Sequence, residues 1–284
     1  MNERYITTIY TPTEEAKKLY GEMIAEPGQN TILLNSGSLS EDPWFQKKGI
    51  YETSEQDNIA DKNQSWCELT SIYWMWKHSK ASPDEWIEHA HYRKFLFLPP
   101  GADLYSRDIL VSSPWPMMFN VNGRTQKMTV ESGTRLCHPS LMWNTMEDVI
   151  TKDLNWSGTA LWDEWRNKDE LYAPLQMWRM KKKLFDEYCE WLFPKLDEIY
   201  AVMSKKIGTE QWKPQFENAY QRRYMAFIGE RMFSWWAFSQ MMGGVKVGQV
   251  GVARHDDFKP FKDEEERKMS SNTALEELNN GQKV

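Results

Sequence analysis

Over its first hundred residues the chain changes hydrophobic period again and again, and this limits the fold more than any other feature. Residues 5–11 (YITTIYT) are β-branched and aromatic and stop at Pro12, as a strand does. Thr13 precedes Glu14 and Glu15, a capping start for the helix TPTEEAKKLYGEMIAE. After the Pro27–Gly28 turn, residues 30–35 (NTILLN) read as a second strand. Residues 64–78 (QSWCELTSIYWMWKH) place Trp66, Leu69, Tyr73 and Trp76 at helical intervals. From about Trp86 a third apolar strand runs to Pro99–Pro100. Strand, helix, strand, helix, strand predicts an α/β fold with a mostly parallel central sheet flanked by helices. Ligands of such sheets gather beyond the carboxyl ends of the strands. The tips to watch are therefore Tyr10–Thr11 and the stretch from Glu88 to Lys94.

The remainder is less regular. Residues 36–60 are polar and rich in Gly, Ser and Asp, and read as a loop or lid. A short strand is expected near 108–112, with helices near 143–150 and 158–165. Two long helical patterns follow. The first runs through 181–206, with Leu184, Tyr188, Trp191 and Leu192 on one stripe and Pro194 as a kink. The second runs from Phe216 to about Gln240. Residues 243–252 (GGVKVGQVGV) suggest a loop and a small strand. One domain over 1–253 is expected, with a polar and flexible tail over 254–284.

Bulk properties narrow the function classes. The formal net charge of −6 argues mildly against a broad nucleic-acid footprint. Cys67, Cys137 and Cys189 form no CxxC pair, which disfavours a disulfide framework or a cysteine zinc site and points to a reducing, cytoplasmic setting. The first residues lack a secretory signal, and no apolar run is long enough for a transmembrane helix. The 15 tryptophans are the compositional oddity, since large rings with a polar handle serve both cores and binding clefts.

Three segments carry a resemblance. One is Asn58–Ile59 and Lys62–Asn63, then Trp66–Cys67–Glu68–Leu69–Thr70 and Tyr73–Trp74–Met75–Trp76–Lys77. Another is His91–Tyr92–Arg93–Lys94–Phe95. The last is Met180–Lys181–Lys182 with Leu184–Phe185–Asp186–Glu187–Tyr188–Cys189–Glu190–Trp191–Leu192–Phe193, followed by Arg223, Phe227 and Glu230–Arg231. Together they resemble a bacterial glycosyltransferase family of capsular and exopolysaccharide loci, long described only as a domain of unknown function. Cys137–His138 agrees more weakly. The resemblance implies a GT-A-like, Rossmann-type fold that moves a sugar from a nucleotide-sugar donor to an acceptor, a glycan by family default. Glu88 and His89 depart from the family's glycine and apolar residue at those places. Gln176–Met177–Trp178 stand where the family has Asn-Met-Phe.

A nucleotide-sugar transferase must hold a nucleoside, neutralise a departing diphosphate and manage the proton of an acceptor hydroxyl. On a strand, His89 and His91 share a face. They are therefore candidates for a divalent metal, Mn²⁺ or Mg²⁺, although these ions favour oxygen ligands. His91 and Arg93 are the candidates for the diphosphate. Tyr10, Thr11 and Tyr92 are candidates for the nucleotide. Lys62 and Asn63, ahead of a helix, offer an anion site, while Asn63 also serves as a cap. Glu68 is expected as a buried ion-pair partner, for Arg93 among others. Candidates for a base are His138, Asp163, Glu164 and Asp186. Trp162, Trp165 and Trp178 are the expected acceptor platform, and His255–Asp256–Asp257 a segment that folds back onto the donor.

Two other readings compete. One is a DNA glycosyltransferase of a phage type acting on hydroxymethylated bases, for which stacking aromatics and a local basic face would hold a flipped base. The other is a non-catalytic carbohydrate- or nucleotide-binding module, which the lack of a plain Asp-x-Asp motif keeps open.

Overall fold

The computed structural model describes residues 1–8, 14–37, 43–92, 94–97, 106–113, 117–121, 123–168 and 176–254. Tyr10, Thr11, Arg93 and His255–Asp257 lie outside the described residues, as does the tail.

The expected α/β architecture is present. Strands β1 (Asn2–Thr8), β2 (Gln29–Asn35), β3 (Gly49–Tyr51) and β4 (Trp86–His91) run parallel, β1 lying between β2 and β4. Beyond β4 the direction reverses: β9 (Trp178–Lys181) pairs antiparallel with both β4 and β6 (Ile109–Ser112). Strand β10 (Val247–Arg254) lies parallel to β6 and antiparallel to β5 (Lys94–Phe97). β4 is buried along nearly its whole length, as a central strand covered on both faces should be.

The two faces carry unequal cores. Ile6 and Leu33 face α1 (Glu14–Ile24) and α2 (Pro43–Lys48) in a small cluster with Ala16, Tyr20 and Phe45. Tyr5, Ile87 and Met180 face the large cluster, built by α4 (Glu68–His78), α6 (Ser140–Thr151), α8 (Lys182–Ile207) and α10 (Tyr224–Met242). Helix α10 is buried on every side from Tyr224 to Phe238, so it is a core helix rather than an amphipathic cover. Between β6 and β9 the chain inserts the hairpin β7–β8 (Met117–Val121, Arg124–Met128) and helices α5 (Val130–Cys137), α6 and α7 (Trp156–Arg166).

Four expectations are corrected. Residues 36–60 are not simply a loop or lid, because Phe45 buries helix α2 and β3 extends the sheet edge. Gly49 makes that turn fit, since a Cβ there would lie 2.2 Å from the Phe45 ring. The third strand does not run through to Pro99. It turns at Tyr92, so that His91 faces Lys94 antiparallel, with the Tyr92 carbonyl held by the Tyr20 hydroxyl at 2.8 Å. The helix expected over 64–78 breaks into α3 (Asn63–Trp66) and α4 at Cys67, whose φ of +45° is rare for a residue with a side chain. Likewise the helix expected from Phe216 is divided into α9 (Lys213–Phe216), a 3₁₀ turn at Gln221–Arg223, and α10.

Candidate functional site

The carboxyl ends of β1, β2 and β4 converge at one end of the sheet. There the polar residues are Thr7 and Thr8, Asn35 and Ser36, and His89 and His91. Asn35 is 1% exposed, and both its amide atoms lack a hydrogen-bond partner among the described residues. An orphaned buried amide costs free energy unless something binds it, so Asn35 stands out at the end of β2.

His89 is the fixed point of this end. Its Nδ1 lies 2.8 Å from the Gln176 carbonyl and its Nε2 2.9 Å from Thr7 Oγ1. A carbonyl only accepts, so Nδ1 carries the proton, and Thr7 donates to Nε2. Burial pushes the imidazole pKa down to about 4, so the ring stays neutral. Neither nitrogen has a free lone pair for an ion, and the metal role expected of His89 is corrected on that ground. Among the described residues no three His, Cys, Asp or Glu side chains come together to hold a metal. His91 is half-buried, its ring edge-on to His89 at 5.8 Å. Tyr92 is 9% exposed.

A second polar network ties the ends of β2 and β3 to the broken helix. The Glu52 carboxylate, 1% exposed, accepts from Ser71 Oγ and from Thr70 Oγ1 at 2.9 Å. Thr70 has one hydroxyl proton, and the carboxylate is its strongest acceptor; its oxygen then accepts from Asn63 Nδ2 at 3.0 Å. Asn63 Nδ2 also reaches Ser36 Oγ at 2.7 Å and the Cys67 carbonyl at 3.0 Å. Burial raises the Glu52 pKa, against the hydroxyls of Ser71, Thr70 and Ser36 and the Gly37 N–H, which lower it. Gly37, with φ +68°, is required here: a Cβ would lie 2.0 Å from Asn63. Asn63 thus braces the strained Cys67 turn. Lys62 points elsewhere, bonding Asp197 at 3.0 Å and lying 4.6 Å over the Trp66 ring. Neither of the two forms the anion site expected ahead of the helix.

The other expected groups are spread apart. His138 is 6% exposed. Its Nδ1 donates to Gln221 Oε1 at 3.1 Å, and its Nε2 faces Arg231 Nη2 at 3.4 Å. Burial, then the Arg231 charge, pushes its pKa down to about 3. Its lone pair is turned to a guanidinium, which works against the general-base role expected of His138. Asp163, Glu164 and Asp186 are tied to Arg166, Lys168 and Lys182. Glu68 lies near Arg223 and Glu230; burial and the Glu230 charge raise its pKa, while Arg223 lowers it.

The acceptor platform is also corrected. Trp162, Trp165 and Trp178 are at most 1% exposed. Trp162 and Trp165 pack on each other and on Trp143 and Trp235, and Trp178 on His89 and Phe185. None offers a face to a sugar. The expectation missed Asn35, Glu52 and Tyr220. Glu52 lies in a polar stretch without periodicity, and only the fold reveals its burial.

Residues 39–241 match the model of a family described as Domain of unknown function (DUF4422). No match is found among curated proteins. Among solved structures, the apo structure of the bifunctional glycosyltransferase WbbM resembles the chain with a TM-score of 0.62 at 18% identity. The likeness covers 90% of this chain and 45% of that one, so this chain spans less than half of that protein. At this identity the likeness establishes the fold, an α/β arrangement with a mostly parallel sheet. No described helix is long and apolar enough to cross a membrane. With 39–241 covering well over half of its length, the chain belongs to the family described as Domain of unknown function (DUF4422).

Proposed function

We propose that the protein is a glycosyltransferase that moves a sugar from a nucleotide-sugar donor to a hydroxyl acceptor, with the donor across the ends of β1, β2 and β4. One observation carries this reading. The chain matches a glycosyltransferase fold over nine-tenths of its length, and its buried unpartnered amide, Asn35, lies at the strand ends where ligands of such sheets sit. In the reaction the acceptor oxygen bonds to the anomeric carbon, the bond from that carbon to the diphosphate oxygen breaks, and the hydroxyl proton passes to a base. His91, which ends β4, and Arg93, two residues on in the sequence, are the residues proposed for the diphosphate, with Tyr92 for the nucleotide. His89 acts behind them, its neutral ring fixing Gln176 and Thr7. A divalent ion, if used, would neutralise diphosphate charge. His89 would not ligate it, and His91 would bring a single imidazole.

The test is release of nucleoside diphosphate from a panel of nucleotide sugars, with Mn²⁺ or Mg²⁺ and without, against oligosaccharides and against hydroxymethylated DNA. Turnover that falls at least tenfold in His91→Ala supports the reading. Turnover on DNA alone moves the acceptor to the phage type. Binding without turnover on any acceptor indicates a binding module instead.

A further inference from the structure

The entrance to α10 carries a second site. Tyr220 and Arg223 flank the Phe227 ring, the tyrosine 4.7 Å from its centroid and the guanidinium 5.6 Å. Tyr220 lies nearly parallel to His138, at 12° and 5.7 Å, and remains 46% exposed. It is the one ring of this aromatic group with a substantial open surface.

Arg223 is exposed yet held. Its Nε donates to Cys67 Sγ at 3.3 Å, and its plane rests near Phe227. Nη1 and Nη2 have no hydrogen-bond partner among the described residues, and no described carboxylate lies within salt-bridge distance. The sulfur is a weak acceptor. Burial and the Glu68 charge raise the thiol pKa to about 11, so it stays uncharged. The nearby acids act on Arg223 through their charge without hydrogen-bonding its fork: Glu230 pairs with Arg231 at 3.0 Å, and Glu68 is buried. A guanidinium held through Nε and set over an aromatic ring presents its outer edge as two N–H donors with the spacing of a carboxylate or phosphate.

We propose that Tyr220 and Arg223 form an acceptor subsite for a sugar ring bearing an acidic group, either a carboxylate or a phosphate ester. The ring packs its apolar C–H face on Tyr220, and the acidic group takes the free edge of Arg223. The site borders the donor end, because Arg223 touches the Cys67 turn whose carbonyl is bonded by Asn63. The word acceptor rests on the glycosyltransferase reading; the binding of an acidic sugar does not.

The test is calorimetric titration of the full chain with four probes: a glucuronate-terminated oligosaccharide, its glucose-terminated counterpart, a hexose phosphate and inorganic phosphate. At least one acidic sugar should bind about tenfold or more tighter than the glucose-terminated one, as a charge-assisted bidentate contact gives. Whichever acid binds more tightly identifies the group. Arg223→Ala should remove the preference. Arg223→Lys, which keeps the charge and the fold but not the fork, should lose most of it. Tyr220→Ala should weaken binding, and Tyr220→Phe should retain it. Equal binding of acidic and glucose-terminated sugars would overturn the proposal. So would acidic-sugar binding unchanged in both Arg223 variants, inorganic phosphate binding as tightly as the hexose phosphate, or no binding of either acidic sugar. Such a failure with nucleotide-sugar turnover intact removes the subsite alone. Acidic-sugar binding without turnover removes the transferase reading alone.

Discussion

Two aromatic regions of this protein look alike in sequence and differ in what surrounds them. Trp143, Trp162, Trp165 and Trp235 pack ring on ring inside the helical insertion, with the Trp143 and Trp162 indole N–H groups donating to Glu147. Those two indoles share a carboxylate that Arg166 also binds at 2.9 Å, while the buried Trp165 indole N–H has no partner among the described residues. Tyr220 and Phe227, by contrast, sit at an edge, with an imidazole beneath and a partly satisfied guanidinium beside them. The lesson is that aromatic density marks a core or a site according to whether a ring keeps an open face beside a polar group, as Tyr220 does at 46% exposure and Trp165 at 0% does not.

The largest expected effect tests the closed side. Trp165→Ala should cost about 3–5 kcal/mol, measured by denaturant unfolding, because a fully buried indole leaves a cavity. Its folded fraction should bind sugars as the wild type does; a selective loss of sugar binding would reopen the acceptor role of these tryptophans.

Next comes acid sensitivity, in which the two buried histidines act alike. The folded-state pKa values of His89 and His138 lie below the unfolded value near 6.5, so protons bind the unfolded chain more readily. Stability contributed by each neutral ring is fully present above about pH 6.5 and is lost as pH falls toward 4. His89 alone corresponds to about 3 kcal/mol. Denaturation curves between pH 7 and 4 should show this loss, and His89→Gln should flatten it. A flat wild-type curve would contradict the buried neutral state of both rings.

A smaller effect belongs to the open side. Tyr220→Ala should cost about 1 kcal/mol of stability through its contacts with Phe227 and His138, while weakening sugar binding by a larger factor. The smallest is Trp156→Ala. This ring is 85% exposed, and its removal should change stability by no more than about 0.5 kcal/mol. A larger change would mean that the exposed indole is covered in solution.

Much of the fold was legible because it rests on period. The strands at β1, β2 and β4 and the helices at α4, α6, α7 and α8 follow from apolar spacing. What escaped was set by contacts distant in sequence. The turn at Tyr92 has no Gly, Pro or Asn to announce it and depends on the Tyr20 hydroxyl. The break at Cys67 depends on Asn63, the Thr70 backbone N–H and Arg223. The polar residues at the end of β4 were legible in position, but their partners were not. The pairing of His89 and His91 on one face followed from strand geometry, yet nothing local revealed that Thr7 and the Gln176 carbonyl take both nitrogens of His89. The aromatic bet failed for a related reason, since helical spacing does not say which side another helix will cover.

The central claim is that a nucleotide sugar binds at the ends of β1, β2 and β4. Thermal unfolding with a panel of nucleotide sugars, with and without Mn²⁺ or Mg²⁺, tests it directly. At a concentration about 100 times Kd, the matching donor should raise Tm by about 5 °C or more, and His91→Ala should reduce that shift. No shift with any nucleotide or nucleotide sugar, in either metal condition, would contradict the account.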